Sequence, residues 1–197
     1  MPEWVIDKKE KLNESIEKDR IANIGSKPVT VEMRFRSSFP YQVCRYLKVL
    51  RNLEYACYQR DHSKNRLWKM FYAQKVKLLD RRKNRMGLKL GIEIPVNRVA
   101  PGVRIAHPNV ILNGYVGEGC VFHGNNVLGN KRTGDGAMIP RLGANVDIGV
   151  SAMVIGNVEI ADGCVIGAGA VVTKTFKQPA TVICGVPAKS ISVEGIR

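Results

Sequence analysis

Aliphatic side chains occupy every sixth position from Leu142 to Val172: Leu142, Ile148, Val154, Ile160, Ile166 and Val172. No single regular element explains that spacing, because a helix repeats its apolar face near every 3.6 residues and a strand alternates every two. A stacked supersecondary unit does, so the pattern predicts a solenoid. An earlier run, Val110, Val116, Phe122 and Leu128, keeps the same step and is then lost for fourteen residues. An insertion that leaves the flanking coils stacked accounts for the gap, and 129–141 (GNKRTGDGAMIPR) is predicted to be a loop. Several hexads continue as glycine or small, any, small, as in Ile148-Gly149-Val150-Ser151 and Ile166-Gly167-Ala168-Gly169. Three hexads make one triangular turn, with aliphatic groups inside the prism and glycine or asparagine at corners that need positive φ. Residues 98–178 are therefore expected to form a parallel β-helix of about four to five turns, stabilised by neighbouring coils. The competing reading is a β-sandwich with coincidental spacing.

Before residue 90 the pattern changes. Between Pro40 and Met86 there is no Gly or Pro, and Val43, Leu47, Leu50 and Leu53, then Leu67, Met70, Phe71 and Leu78, recur at helical spacing. Two helices are predicted, roughly 41–60 and 63–86, with Ser63 as N-cap of the second and Gly87 and Gly91 at its exit. Residues 5–22 predict a polar helix, and the alternation in 29–35 (VTVEMRF) predicts a strand. The chain thus reads as a mainly α-helical region, 1–89, followed by a β-helical domain, 90–197, with a C-terminal tail.

Charge separates the two further. Of the formal net charge of +14, residues 36–89 hold +12, with fifteen basic and three acidic side chains. Such an excess recruits anionic partners. Arg and Lys alternate there with Tyr41, Tyr46, Tyr55, Tyr58, Trp68 and Tyr72, a mixture suited to a membrane surface or to a solvated helical face with cationic stems lying over apolar groups. No nucleic-acid-binding motif accompanies it, so nucleic acid is not an expected partner. Five cysteines without paired short spacing suggest neither a disulfide framework nor a zinc ribbon, and Cys120 and Cys164 are expected to be buried packing residues. The N-terminus has no signal-peptide pattern and no apolar run reaches bilayer length, so a cytoplasmic protein is expected, with membrane contact at most peripheral.

The hexads, the loop, and the closing Gly167-Ala168-Gly169-Ala170-Val171-Val172-Thr173-Lys174 with Gly185-Val186-Pro187-Ala188-Lys189 resemble the left-handed β-helix acyltransferases. Within that superfamily Gly91-Ile92-Glu93-Ile94-Pro95 through Gly102-Val103-Arg104-Ile105-Ala106-His107 is similar to serine O-acetyltransferases and their relatives in polysaccharide gene clusters. The resemblance covers 90–190, about half the chain, and implies the left hand of the coil, a homotrimer with active sites between subunits, and acetyl-CoA as co-substrate.

Acyl transfer to a hydroxyl needs a base near the acceptor proton, and histidine titrates in the useful range. Of three histidines, His62 lies in a charged turn and reads as a surface residue. His107 takes the position of the family's catalytic histidine, and Glu93 is the matching candidate to orient it, although one residue is missing between them relative to the family. His123 and Asn125 lie one coil further on and are candidates for acceptor binding, with a corner role as the alternative. Val150, Ala168, Thr173, Lys174 and Lys189 match positions that contact the coenzyme in the family. The β-helix offers no third histidine to join His107 and His123, so no metal is expected. Two departures concern the acceptor: Ala106 stands where serine acetyltransferases carry Asp, and Gly134-Asp135-Gly136-Ala137 lacks the family's loop histidine. Their loss leads to the expectation of an acetyl-CoA-dependent O-acetyltransferase acting on a sugar hydroxyl in cell-surface polysaccharide biosynthesis. Serine O-acetylation in cysteine biosynthesis is the second reading. A non-catalytic β-helical scaffold with a membrane- or polyanion-binding arm is the third.

Overall fold

The computed structural model describes residues 4–26, 29–132 and 138–191. The chain divides into two compact units, Met1–Leu90 and Gly91–Arg197.

The first unit is helical: α1 (Lys9–Ile24), α2 (Val31–Phe35), α3 (Phe39–His62) and α4 (Arg66–Leu90). Helix α3 starts with Pro40 in its first turn, where the missing N–H costs nothing, and buries Val43, Tyr46, Leu47, Leu50, Leu53 and Ala56 on one stripe. Its neighbours in the unit are α1 and α4. The α1–α3 contact contains a wholly buried ion cluster. The Arg51 guanidinium donates to Asp19 from Nε at 2.7 Å and from Nη2 at 3.3 Å, and to Glu54 from Nη1 at 3.0 Å. Burial alone would disfavour the Arg51 charge, but the two carboxylates outweigh it and raise the pKa further above its usual value.

Two local expectations are corrected. Residues Val31–Phe35 form a short helix and not a strand, with the Thr30 hydroxyl accepting from the Met33 N–H at 3.2 Å. Val31 and Phe35 are 81% and 90% exposed, so the alternation had no buried face through which to select a strand. Helix α4 is capped by Asn65 and not by Ser63: Asn65 Oδ1 accepts from Leu67 N at 2.8 Å, while Ser63 ends α3. Two polar residues apart, either side chain could cap, and the helix start at Arg66 decides which.

The second unit is a left-handed β-helix. Its strands are β1 (Ile92–Glu93), β2 (Arg104–Ile105), β3 (Val110–Leu112), β4 (Tyr115–Val116), β5 (Val121–Phe122), β6 (Asn126–Gly129), β7 (Arg141–Leu142), β8 (Asp147–Ile148), β9 (Met153–Ile155), β10 (Glu159–Ile160), β11 (Val165–Ile166), β12 (Val171–Val172), β13 (Val182–Cys184) and β14 (Lys189–Ile191). They form three faces of a prism: face I is β1-β3-β6-β9-β12, face II is β4-β7-β10, and face III is β2-β5-β8-β11-β13 with β14 added antiparallel at its end. Register between coils gives the repeat directly. Arg141 pairs with Glu159, Asp147 with Val165 and Met153 with Val171, each eighteen residues on, which is three hexads per turn. Tyr115 pairs with Arg141 and Val127 with Met153, twenty-six residues on, so the eight extra residues lie between β6 and β7. That is the loop 129–141, whose Gly134, Asp135, Gly136 and Ala137 lie outside the described residues. The ten aliphatic or aromatic residues of the hexad rows are at most 5% exposed. Burying each contributes about 1.5–3 kcal/mol, which is why the period is kept so strictly. The strands begin at Ile92 and run to Ile191, beyond both ends of the hexad run itself. Cys120 lies inside the prism, its Sγ donating to Gly143 O at 3.2 Å, and burial pushes its thiol up to about 12. Cys164 is buried likewise.

Candidate active site

Each turn from face III to face I passes a corner, and backbone bonds stack these corners into one edge. Asn125 N donates to Pro108 O at 3.1 Å, Ser151 N to Gly124 O at 2.9 Å, and Gly169 N to Val150 O at 2.9 Å. His107, His123, Asn125, Val150 and Ala168, spread over sixty residues of sequence, therefore line a single edge of the prism across four coils. The corner residues need a left-handed backbone: Asn109, Asn125 and Ser151 have φ of 63°, 54° and 60°, conformations that asparagine tolerates best among residues with a side chain. Asn109 Nδ2 donates to Asn125 Oδ1 at 3.0 Å, which ties the first two corners together.

His107 is exposed at the first of these corners. Directly above it is Gly124, at φ 108°, where a Cβ would come within 2.7 Å of His107 Cβ and 3.2 Å of Pro108 O. Only glycine lets the two coils close over this histidine. Gly124 is itself held by Asn126, a wholly buried side chain. Asn126 Oδ1 accepts from Gly124 N at 2.9 Å, and its Nδ2 donates to Gly149 O at 2.8 Å and Ala152 O at 3.2 Å. A buried amide with its donors and acceptor engaged across two coils rigidifies the edge where His107 and His123 stand. Gly124→Ala is expected to cost about 1–3 kcal/mol from backbone strain and to displace His107. Thermal unfolding and the His107 imidazole resonances in NMR spectra read the two effects separately.

His123 follows the inward Phe122 and is half-exposed, with its Nε2 2.8 Å from Asp147 Oδ1 on the next coil. The pair arises because β5 stacks on β8, placing Val121 on Asp147 and leaving the carboxylate one step diagonal from the imidazole. Sequence reasoning missed both Asp147 and Asn126. The twenty-six-residue offset hides the first, since a search at hexad spacing looks eight residues short. The second occupies an inward slot paired with Val110, where an apolar side chain is the ordinary expectation.

The other expected residues lie apart. Glu93 is exposed on β1 and pairs with Ile111, and among the described residues no hydrogen bond joins it to His107. Thr173 and Lys174 follow β12 at the corner leading away from face I, with Lys174 Nζ 5.4 Å from the Phe176 ring centroid. Lys189 is exposed at the start of β14, paired with Cys184. Gly149 and Gly167, whose missing side chains let coils approach closely, lie at the His107 edge. A Cβ on Gly149 would fall 2.6 Å from Ala168 N. Among the described residues no group of three His, Cys, Asp or Glu side chains could hold a metal ion.

The chain is similar to serine acetyltransferases, both in sequence and in fold. It is 32% identical over 131 residues to the serine acetyltransferase of Synechococcus elongatus, a match covering 64% of this chain and 53% of the relative. It is 31% identical over 116 residues to that of Escherichia coli K12, covering 55% and 41%. The chain thus spans about half, or less, of the length of these relatives. Among solved structures, soybean serine acetyltransferase apoenzyme superposes with a TM-score of 0.70 at 21% identity over 91% of this chain and 69% of that one. The Brucella abortus serine acetyltransferase superposes with a TM-score of 0.62 at 20% identity over 93% and 70%. No family model matches the chain.

These relatives overturn the expected sugar acceptor and the assignment to polysaccharide biosynthesis, because the similar proteins are named serine acetyltransferases. The physical reason lies in the inference itself. Two missing polar groups exclude an acceptor only when nothing else supplies such groups, and the same edge carries the Asp147 carboxylate and the His123 imidazole.

Proposed function

We propose that the protein is a serine O-acetyltransferase, moving the acetyl group of acetyl-CoA to the L-serine hydroxyl as a step towards cysteine. The observation that carries this reading is sequence likeness to serine acetyltransferases over 131 residues, joined to an exposed His107 on a stacked edge of small residues. His107 accepts the hydroxyl proton as the serine oxygen attacks the thioester carbon, and the resulting imidazolium returns that proton to the departing coenzyme A thiolate. Bond making and breaking balance: one ester forms, one thioester breaks, and the histidine ends neutral. Direct transfer between two bound substrates needs both to be held in line, and the stacked edge offers one side of such a site.

Glu93 is the candidate to orient the His107 ring once the substrates are in place, while His123 and Asn125 stand on the acceptor side. Val150 and Ala168 continue the edge where the pantetheine arm would run, and Lys174, Thr173 and Lys189 are candidates for its polar end. We expect a homotrimer in which the adjacent subunit covers the edge that is exposed in the single chain. Sedimentation equilibrium at three times the 21.8 kDa chain mass is the expected result. No helix among the described residues is long and apolar enough to cross a membrane.

The deciding experiment measures coenzyme A release on adding L-serine to the protein with acetyl-CoA, with O-acetylserine identified by mass spectrometry. Serine-dependent release is expected. Folded protein that releases coenzyme A with no hydroxyl amino acid overturns the assignment. Asp147→Asn tests the acceptor side: loss of the carboxylate that holds His123 is expected to raise the serine KM by about tenfold, with a smaller change in kcat. Steady-state kinetics at varied serine concentration checks the split.

A further inference from the structure

We propose that the outer stripe of α4 docks lengthwise on an anionic lipid surface. This inference concerns the helical unit alone and stands whether or not the acetyltransferase assignment does.

Helix α4 contacts α3 through the side carrying Tyr72, Val76, Leu79 and Lys83, none of which is fully exposed. Its opposite side carries large apolar side chains in water, with Gln74 and Arg85 among them. Leu67, Phe71 and Leu78, at i, i+4 and i+11, fall on one line along the helix, and they are 74%, 54% and 68% exposed. Trp68 and Met70 flank that line and are also more than half exposed. Trp68 stacks edge-to-face on Phe71 with ring centroids 5.8 Å apart, forming an aromatic group at the start of the helix. Rings with an apolar body and a polar rim favour the headgroup boundary of a bilayer.

Cations border this stripe on both sides. Arg82 lies on the Trp68 side, and Lys77 and Arg81 on the Met70 side, all three exposed; Lys75, also on the Trp68 side, is half-buried with its Nζ 5.7 Å from the Tyr72 ring and reaches the surface by a change of rotamer. The helix has nine basic residues and a single acidic one. That acid, Asp80, lies 3.7 Å from Lys83 on the side facing α3. Charge complementarity selects the occupant. A second copy meeting this face would bring cation rows against cation rows, whereas phosphate headgroups neutralise the rows while the stripe enters the acyl boundary.

The test uses the full chain and vesicles of phosphatidylcholine with and without about 30% phosphatidylglycerol. The protein contains two tryptophans, Trp4 and Trp68, so in Trp4→Phe protein the emission reports α4 alone. Co-sedimentation with the anionic vesicles, little with the neutral ones, and a blue shift of Trp68 emission are expected. The triple change Leu67→Ser, Phe71→Ser and Leu78→Ser is expected to weaken binding about tenfold or more while the far-ultraviolet helical signal is kept. The pair Lys75→Glu and Arg82→Glu, which alters no apolar group, is expected to weaken it by a similar factor. Three results would each overturn the proposal: no anionic-vesicle binding by the wild type, equal binding by the serine variant, or a change of oligomeric state in that variant that identifies a second copy as the occupant.

Discussion

Replacing His107 with alanine is expected to lower serine-dependent coenzyme A release by about 10²- to 10⁴-fold, the contribution a positioned general base makes to proton transfer in the transition state. The loss should fall on kcat, with the KM values of serine and acetyl-CoA little changed, because the imidazole acts on a proton that moves only as the oxygen attacks. Steady-state kinetics on both substrates measures this. His123→Ala is the informative comparison, since it removes the other imidazole of the same edge. If His107 is the base and His123 holds the acceptor, the first variant loses turnover and the second loses serine affinity. A His107→Ala enzyme with undiminished kcat would remove the mechanism, and the reverse assignment of the two variants would transfer the base to His123, which the Asp147 carboxylate already holds at 2.8 Å. Gly124→Ala should follow His107→Ala in direction, because the nearest atom to the added Cβ is the His107 Cβ, at 2.7 Å.

The largest stability effect is expected at Arg51, far in sequence from any of this chemistry. Arg51→Met keeps an unbranched apolar chain the length of the arginine stem and removes the guanidinium that lies between Asp19 and Glu54. Two buried carboxylates then remain without the cation that neutralised them, and the helical unit is expected to lose about 3–5 kcal/mol. Chemical denaturation followed by the far-ultraviolet signal measures the change, with the helical and β-helical transitions fitted separately because two units need not unfold as one. Changing all three residues to apolar ones of similar volume should recover most of the loss, since the removed ions no longer need to be taken out of water. If the single and triple variants lose the same amount, the cluster acts by shape and not by charge.

Much of the β-helix was legible because its information is periodic. Ten inward positions recur at a step that only a three-sided coil satisfies, and glycine or asparagine near the corners marks where the chain turns. The helices were legible for the same reason, their ends less so: Ser63 and Asn65 are both good cap residues in isolation, and the start of α4 at Arg66 puts Asn65 in the cap position. The strand expected at 29–35 failed because alternation has meaning only against a face to be buried, and residues 31–35 have none. The acceptor expectation failed differently. It counted polar groups at the sequence positions where relatives keep theirs, while the Asp147 carboxylate reaches the same edge from a coil twenty-six residues away.

The sequence by itself determined the coil, its three-residue-type grammar of aliphatic, small and corner positions, and the site of the interrupting loop. Those features depend on local spacing, which a single chain displays in full. Only the tertiary structure decided which residues share an edge, that His123 is held by Asp147, that Asn126 fastens Gly124 over His107, and that Arg51 joins two helices through Asp19. Each of those contacts spans an offset set by stacking, insertion or helix docking, and side chains brought together by packing carry no mark of it in the order of the amino acids.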